Sequence, residues 1–209
     1  MPKIHKVAQG ELEWLTLRMG RVTASEMDNL ITPTFEQRKG EMPHSYLCSK
    51  LAEAWRGKPL PGFSSHATEQ GQILEDEARR WYCFEFDQEQ VHNVGFVEHD
   101  NGRCGASPDA LIGEDGGLEL KCPEPQTHVK YLLGGELPKI YTAQVHMSLY
   151  VTQRPWWRFV SYRRGFPPFV LKVERDEAIC EKIEAALESF YKTYDAAMKK
   201  LRDEFEEKP

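Results

Sequence analysis

The 209-residue sequence predicts an α/β fold, a mixed central sheet of about five strands flanked by helices. Three observations predict it. Apolar residues recur at three- and four-residue spacing over 71–86 and 138–151, as amphipathic helices require. Short apolar runs bounded by Gly, Pro and Asp cover 91–98, 103–106, 110–120, 156–162 and 169–174, as strands require. Helical segments therefore stand before and after a central hairpin. No internal repeat, low-complexity tract or composition break divides the chain, so residues 1–209 are expected to form one domain with a substantial core.

Taken in order, Trp14-Leu15 to Gly20 is expected to be a short helix. Thr23-Ala-Ser-Glu26 fits a capping box, so a second short helix is expected through Leu30. Residues 31–44, with two prolines and several charges, read as a mobile loop. Tyr46 to Trp55 has helical periodicity and stops at Gly57 and Pro59, and 57–68 form a second loop rich in Pro, Gly and Ser. From Gly71 a helix carries Ile73, Leu74, Ala78, Trp81, Tyr82 and Phe86 on its apolar side. Val91 to Glu98 reads as one strand, and Arg103 to Ala106 as another leading into the hairpin. A short helical segment after Pro123 breaks at Gly134-Gly135, and a helix runs from Pro138 to Val151. Trp156 to Tyr162 and Phe169 to Glu174 are strands split by a turn at 165–168. Asp176 then caps a long helix to about Glu206.

No apolar stretch approaches the length needed to span a bilayer, and Met1-Pro-Lys-Ile-His-Lys is not a signal peptide. Five cysteines (48, 83, 104, 122 and 180) lie scattered without zinc-finger spacing. They read as reduced thiols of a cytoplasmic protein, and Cys104 and Cys122 as structural thiols rather than zinc ligands beside His92 and His99. The net charge of −6 argues mildly against a nucleic-acid binder. The acid excess, however, is concentrated between Glu174 and Glu207, and basic residues cluster at 18–21, 38–39, 50–58 and 154–164. A basic lining inside an acidic protein is compatible with DNA.

The chemistry is carried by Ser107-Pro108-Asp109 and, after nine intervening residues, Glu119-Leu120-Lys121. On a strand, Glu119 and Lys121 leave the same face and Leu120 enters a core, its carbonyl still open to a cation. A carboxylate pair suits a hard ion such as Mg²⁺, and a neighbouring ammonium can orient or activate the attacking water. The alternative is a solvated hairpin with a surface Glu–Lys pair. Apolar Leu111, Ile112, Leu118 and Leu120 mark these strands as core and disfavour it. A two-residue Asp115-Gly116 turn would put Asp109 on the wrong side of the sheet. A three-residue loop at 114–116, with Gly116 left-handed, pairs Asp109 with Lys121 and Leu111 with Glu119, and puts all three charges on one face.

Glu75 falls towards the apolar side of its helix, with Asp76 and Glu77 more outward, so it can orient water or ligate the ion. Arg18 and Ser25 flank the Thr23 helix start and read either as simple capping with a surface arginine or as a phosphate pocket. Gln144 shares a helix face with Ile140, Met147 and Val151 and is either satisfied by backbone or offered to a phosphate. Alternation sends Trp156 and Trp157 to opposite faces, which favours core and interface over base stacking.

These residues match the PD-(D/E)xK nuclease motif, whose fold is restriction-endonuclease-like. The chain resembles more narrowly the phage lambda exonuclease family, the YqaJ-like viral recombinase nucleases. The resemblance runs from about Trp14 to Asp176. It rests on Leu17-Arg18-Met19-Gly20, Thr23 to Glu26, Gly71 with Glu75 to Arg79, Ser107 to Asp109, and Gly117 to Pro123. Leu133 to Gly135, Ala143-Gln144-Val145 and Val173 to Asp176 complete it.

The resemblance implies a Mg²⁺-dependent exonuclease, with Mn²⁺ as a substitute, that degrades one strand of linear duplex DNA from the 5′ end to mononucleotides. Asp109 and Glu119, with the Leu120 carbonyl, would hold metal. Lys121, helped by Glu75, would act on the water. Arg18, Ser25, Ser107 and Gln144 would hold the 5′-terminal phosphate. It further implies a homotrimeric ring threaded by DNA, a single-strand annealing recombinase as partner of the 3′ overhang, and a phage or prophage origin in a bacterial cytoplasm. One departure stands out. Where the family has a large apolar duplex-splitting wedge before the Gly71 helix, this chain has His66-Ala-Thr68, so the wedge is unassigned. Two other readings remain: a PD-(D/E)xK endonuclease of restriction or repair type, and a non-catalytic DNA-end-binding module.

Overall fold

A computed structural model describes residues 1–60, 69–87 and 90–205. Its strands fall into two sheets where the sequence predicts one. Strands β1 (Lys3–His5), β2 (Val22–Thr23), β4 (Phe96–Glu98) and β5 (Cys104–Ala106) form a four-stranded sheet in the order β1-β4-β5-β2. Strands β3 (Val91–His92), β6 (Ala110–Ile112), β7 (Gly116–Lys121), β8 (Trp156–Ser161) and β9 (Phe169–Glu174) form a five-stranded sheet in the order β3-β6-β7-β8-β9. The expected single strand 91–98 is thus corrected to two, one in each sheet. Just before β4, Gly95 lets the Val7 backbone approach closely, since a Cβ there would lie 2.0 Å from the Val7 carbonyl oxygen.

Helices occur near their expected positions. They are α1 (Leu12–Arg18), α2 (Glu41–Arg56), α3 (Glu69–Glu85), α4 (Pro125–Gly134), α5 (Lys139–Thr152) and α6 (Glu177–Phe205). α2 starts earlier than expected because Pro43 sits in its first turn, where no intrahelical N–H is needed. It ends at Gly57 in the left-handed conformation. Asp176 caps α6 as expected, its Oδ1 accepting from the N–H groups of Ala178 at 2.9 Å and Ile179 at 3.2 Å. The capping box at Thr23 does not form. Thr23 is the last residue of β2, its hydroxyl donates to Glu26 Oε2 at 2.7 Å, and Ala24–Asn29 is a 3₁₀ helix.

α4 and α5 form the crossover between the parallel strands β7 and β8. On one face of the five-stranded sheet, Tyr82 of α3 packs with Ala110, Ile112, Leu118, Leu120 and Val160. On the other, Leu111, Trp157 and Phe159 join the larger core with α2, α5 and α6. Leu120 therefore points into the α3 side, and Glu119 and Lys121 emerge towards α5.

The central hairpin has a three-residue loop, but it spans 113–115 rather than 114–116. Ala110 pairs with Leu118, Leu111 with Gly117 and Ile112 with Gly116. The expected pairings of Asp109 with Lys121 and Leu111 with Glu119 are corrected accordingly. Continuing the ladder sets Asp109 opposite Glu119, so the charges keep their common face. The reason lies in β8. A Cβ on Gly116 would meet the Trp156 ring at 2.2 Å, and one on Gly117 the Trp157 ring at 2.1 Å. Both glycines are consumed by close strand packing, and Gly113, at φ +49°, takes the left-handed place in the turn. Among the described residues no helix is long and apolar enough to cross a membrane.

Candidate active site

Glu119 is the best-buried acid of the site, 3% exposed. Lys121 Nζ approaches its Oε1 at 2.5 Å and Gln144 Nε2 of α5 donates to the same oxygen at 2.5 Å. Lys121 also lies 5.1 Å from the centre of the Tyr141 ring. Asp109, just before β6, accepts the Leu120 N–H on Oδ2 at 2.6 Å. Glu75 on α3 is half-buried and lines the same cleft as Asp109, a space of about 520 Å³ that Lys6, Gln9 and Arg79 also face.

Burial pushes the proton affinity of all three acids up. For Glu119, burial is reinforced by Asp109 and opposed by Lys121. Asp109 is raised by burial against the opposing Lys121, Leu120 N–H and Arg79. Glu75 is raised by burial and then by Asp109. Lys121 is held firmly protonated: burial works against it, but Glu119 and Asp109 outweigh that. Asp109 thus stands between two other acids that each raise their hold on a proton against it, with Lys121 and Arg79 as the nearby cations. The donors of the site are all oxygen, which suits a hard divalent cation. Among the described residues no group of three His, Cys, Asp or Glu side chains stands pre-assembled as a metal cage. The carboxylates are turned instead onto the Leu120 N–H, Lys121 and Gln144.

Arg18, Ser25 and Ser107 come together. The guanidinium is buried at 7% exposure, donates to Ser107 Oγ through Nη1 and to Thr23 Oγ1 and Ser25 Oγ through Nη2, each at 3.1 Å, and lies against the Trp14 ring. Gln144 is not bonded to this cluster but to Glu119. Ser107 is the link between the two groups, since it touches Arg18 and stands two residues before Asp109.

Several residues escape the sequence reading. Trp14 Nε1 donates to Ser107 Oγ at 2.9 Å and to the Gly95 carbonyl at 3.1 Å. Gln9 Nε2 donates to the carbonyls of Pro108 at 2.9 Å and Val94 at 3.3 Å. Arg79 Nη1 donates to the Asp109 carbonyl at 2.7 Å and Asn93 Oδ1 at 2.8 Å. Only Arg79 left a signal, one helical turn after Glu75 on the same face. Glu77, expected outward, is half-buried and accepts from Tyr162 Oη at 2.7 Å and from Arg164. The expected wedge position, His66-Ala-Thr68, lies outside the described residues.

The model of the YqaJ-like viral recombinase domain matches residues 13–155. The chain belongs to that family. The match takes in Trp14, Arg18, Ser25, Glu75, Ser107, Asp109, Glu119, Lys121 and Gln144, and leaves out Lys6 and Gln9. Beyond it, the YqaJ-like fold is similar to the crystal structure of an alkaline exonuclease, LHK-Exo, from Laribacter hongkongensis. The TM-score is 0.81 and the identity 30%, over 91% of this chain and 96% of that one. LHK-Exo in complex with dAMP gives the same TM-score and coverage at 31% identity. A phage-related exonuclease from Haemophilus somnus 129PT, 13% identical over 90% of this chain and 99% of that one, is similar in fold with a TM-score of 0.65. A search of curated proteins returns no match. Family and neighbours together point to a nuclease of the viral recombinase type, with the mixed α/β fold that the sequence predicts.

Proposed function

We propose that the chain is a Mg²⁺-dependent 5′→3′ exonuclease that degrades one strand of linear duplex DNA from 5′-phosphorylated ends and leaves a 3′ overhang. The observation that carries this reading is the three-residue span Ser107-Pro108-Asp109. It joins an Arg18 anion pocket to a carboxylate–lysine site, which is what cleavage at a fixed distance from a terminal phosphate needs. Arg18, Ser25 and Ser107 hold the 5′-phosphate, the guanidinium supplying charge-assisted hydrogen bonds. Gln144 serves the carboxylate side of the same pocket through Glu119.

Asp109, Glu119 and the Leu120 carbonyl would hold Mg²⁺, with Mn²⁺ as a substitute. When bound, the cation offsets charge on the phosphate oxygens and makes water a better nucleophile. Lys121 orients the attacking water and steadies the charge that develops on phosphorus. Glu75, whose proton affinity is raised, accepts the water proton. The water oxygen bonds to phosphorus as the P–O3′ bond breaks and the leaving O3′ takes a proton from solvent, releasing a nucleotide with a 3′-hydroxyl and leaving a new 5′-phosphate on the shortened strand. That end can re-enter the Arg18 pocket. LHK-Exo has been crystallised with dAMP, a mononucleotide of the class this reaction releases.

A homotrimeric ring around DNA and a single-strand annealing partner belong to this reading too, and rest on the family resemblance. The test compares 5′-phosphorylated linear duplex, 5′-hydroxyl linear duplex and covalently closed circles, with Mg²⁺ and with chelator. Phosphorylated linear ends should be digested fastest, circles should survive, and chelator, Asp109→Ala or Lys121→Ala should stop digestion. Cut circles would favour the endonuclease reading. Undiminished Mg²⁺-dependent digestion by either variant would overturn both enzymatic readings, and a solution mass other than three chains would remove the ring.

A further inference from the structure

We propose that Glu26 is a positioning residue for 5′-phosphate recognition, the hub of a buried charge relay that α2 supplies to Arg18. The proposal rests on the exonuclease reading above and names what sets its end preference.

Glu26 Oε2 receives three donors: Thr23 Oγ1 at 2.7 Å, Lys50 Nζ at 3.1 Å and Tyr46 Oη at 3.2 Å. Lys50 is 1% exposed and also reaches Glu53 Oε2 at 3.2 Å. Glu53, 2% exposed, accepts the backbone N–H of Gly20 on that same oxygen at 3.1 Å. The path therefore closes on itself. It starts at the Arg18 guanidinium, runs through Thr23, Glu26, Lys50 and Glu53, and returns to the backbone two residues beyond Arg18. α2 is thereby tied to the guanidinium through Glu26 and Thr23, and to the backbone just after Arg18 through Glu53.

Hydrogen-bond accounting gives the relay a direction. Thr23 has one hydroxyl hydrogen. A guanidinium has no acceptor, so the Thr23 oxygen accepts from Arg18 Nη2 and its hydrogen goes to Glu26 Oε2. This holds one edge of the guanidinium and aims the Nη1 edge at Ser107, where the proposed phosphate binds. Charge supports the geometry. Burial works against the Arg18 cation, and Glu26, Tyr46 and Glu53 act in its favour. With Lys50, the buried set holds two acids and two bases, so a charged network can remain under the core.

The substitution Glu26→Gln keeps the shape and an acceptor oxygen for the three donors, and removes the negative charge that favours the Arg18 cation. Without that charge the buried guanidinium loses the largest of the interactions that offset its burial, and its hold on the Ser107 edge loosens. The readout is the ratio of initial rates on 5′-phosphorylated over 5′-hydroxyl linear duplex. Glu26→Gln should lower that ratio at least about tenfold, the worth of one charge-assisted hydrogen bond, with the loss in KM for phosphorylated ends. A role in folding alone would lower both rates together and keep the ratio. Because Glu26→Gln takes from Lys50 one of its acid partners, the double variant Glu26→Gln/Lys50→Gln is measured beside it. It should regain thermal stability and still lack the preference. A preference kept by both variants, while Arg18→Lys loses it, would overturn the relay. If wild-type protein shows no preference at all, the pocket itself fails, and the exonuclease reading with it.

Discussion

Gly117→Ala tests how the hairpin register places the acids. Gly117 pairs with Trp157 across the parallel β7–β8 ladder, and an added Cβ would lie 2.1, 2.2 and 2.4 Å from three atoms of the indole ring. Ordinary carbon contacts begin near 3.5 Å, so the overlap exceeds about 1 Å. Trp157 is 0% exposed and cannot swing out to relieve it. Gly117 is not left-handed, so alanine brings no backbone strain and the whole effect is steric. Overpacking of this kind costs about 3 kcal/mol when the ring cannot leave. In a chain of this length that is a fall of about 6–12 °C in Tm.

The functional consequence follows from position. If β7 moves off β8 to accommodate the methyl group, Glu119, two residues on, moves relative to Gln144 on α5, and the 2.5 Å contact opens. DNA digestion at a temperature where the variant is folded should therefore drop along with Tm, as read by acid-soluble nucleotide release and thermal denaturation. Gly113→Ala is the control. It strains only a left-handed turn with nothing within 4 Å, costs about 1–2 kcal/mol, and should leave digestion close to wild type. A Gly117→Ala protein with unchanged Tm and digestion would refute both the register and the packing argument.

Two further outcomes are expected. Burial raises the folded-state proton affinity of Asp109, Glu119 and Glu75, so these groups favour the fold below the ordinary carboxylate range near pH 4. That contribution is lost as pH rises through their raised values. Metal-free protein should lose stability across that window and digestion should gain from it. The Tm increment from added Mg²⁺ should grow with pH, and an increment that is constant or shrinks would contradict the site. Arg79→Met removes the donor to the Asp109 carbonyl and to Asn93, and should cost about 1.5 kcal/mol together with a loss of digestion; thermal denaturation and rate assays on one preparation check it.

The metal-type triad was legible because its spacing is local. Alternation alone sends Glu119 and Lys121 one way and Leu120 the other, and α3 periodicity alone turns Glu75 inward. The register was not, since it depends on two tryptophans forty residues downstream that take up Gly116 and Gly117. The second sheet was hidden for a similar reason. β2 and β5 have two and three residues, and they pair across eighty residues of chain, beyond the reach of any periodicity. Gln144 was correctly set on an inward face, but the partner it finds there, Glu119, is a tertiary fact. Thr23 misled because a capping-box pattern fits a hydroxyl and an acid three apart equally well when the two bond each other directly.

The two sheets also explain why the site lies where it does. The chain crosses between them twice in this region, at 93–95 between β3 and β4 and at 107–109 between β5 and β6. Each of three side chains bonds to both crossings: Arg79 to Asn93 and Asp109, Gln9 to Val94 and Pro108, Trp14 to Gly95 and Ser107. The crossings are thus fastened position by position. Irregular backbone between sheets would otherwise be free to slide, and with it the Ser107–Asp109 offset, at most about 7.6 Å between Cα atoms. The four-stranded sheet carries Thr23 and the 3₁₀ helix with Ser25, and the five-stranded sheet carries Glu119 and Lys121. Only a rigid junction gives the two halves one fixed separation, and under the proposed reading that separation sets which phosphodiester bond is cut from a held 5′-phosphate.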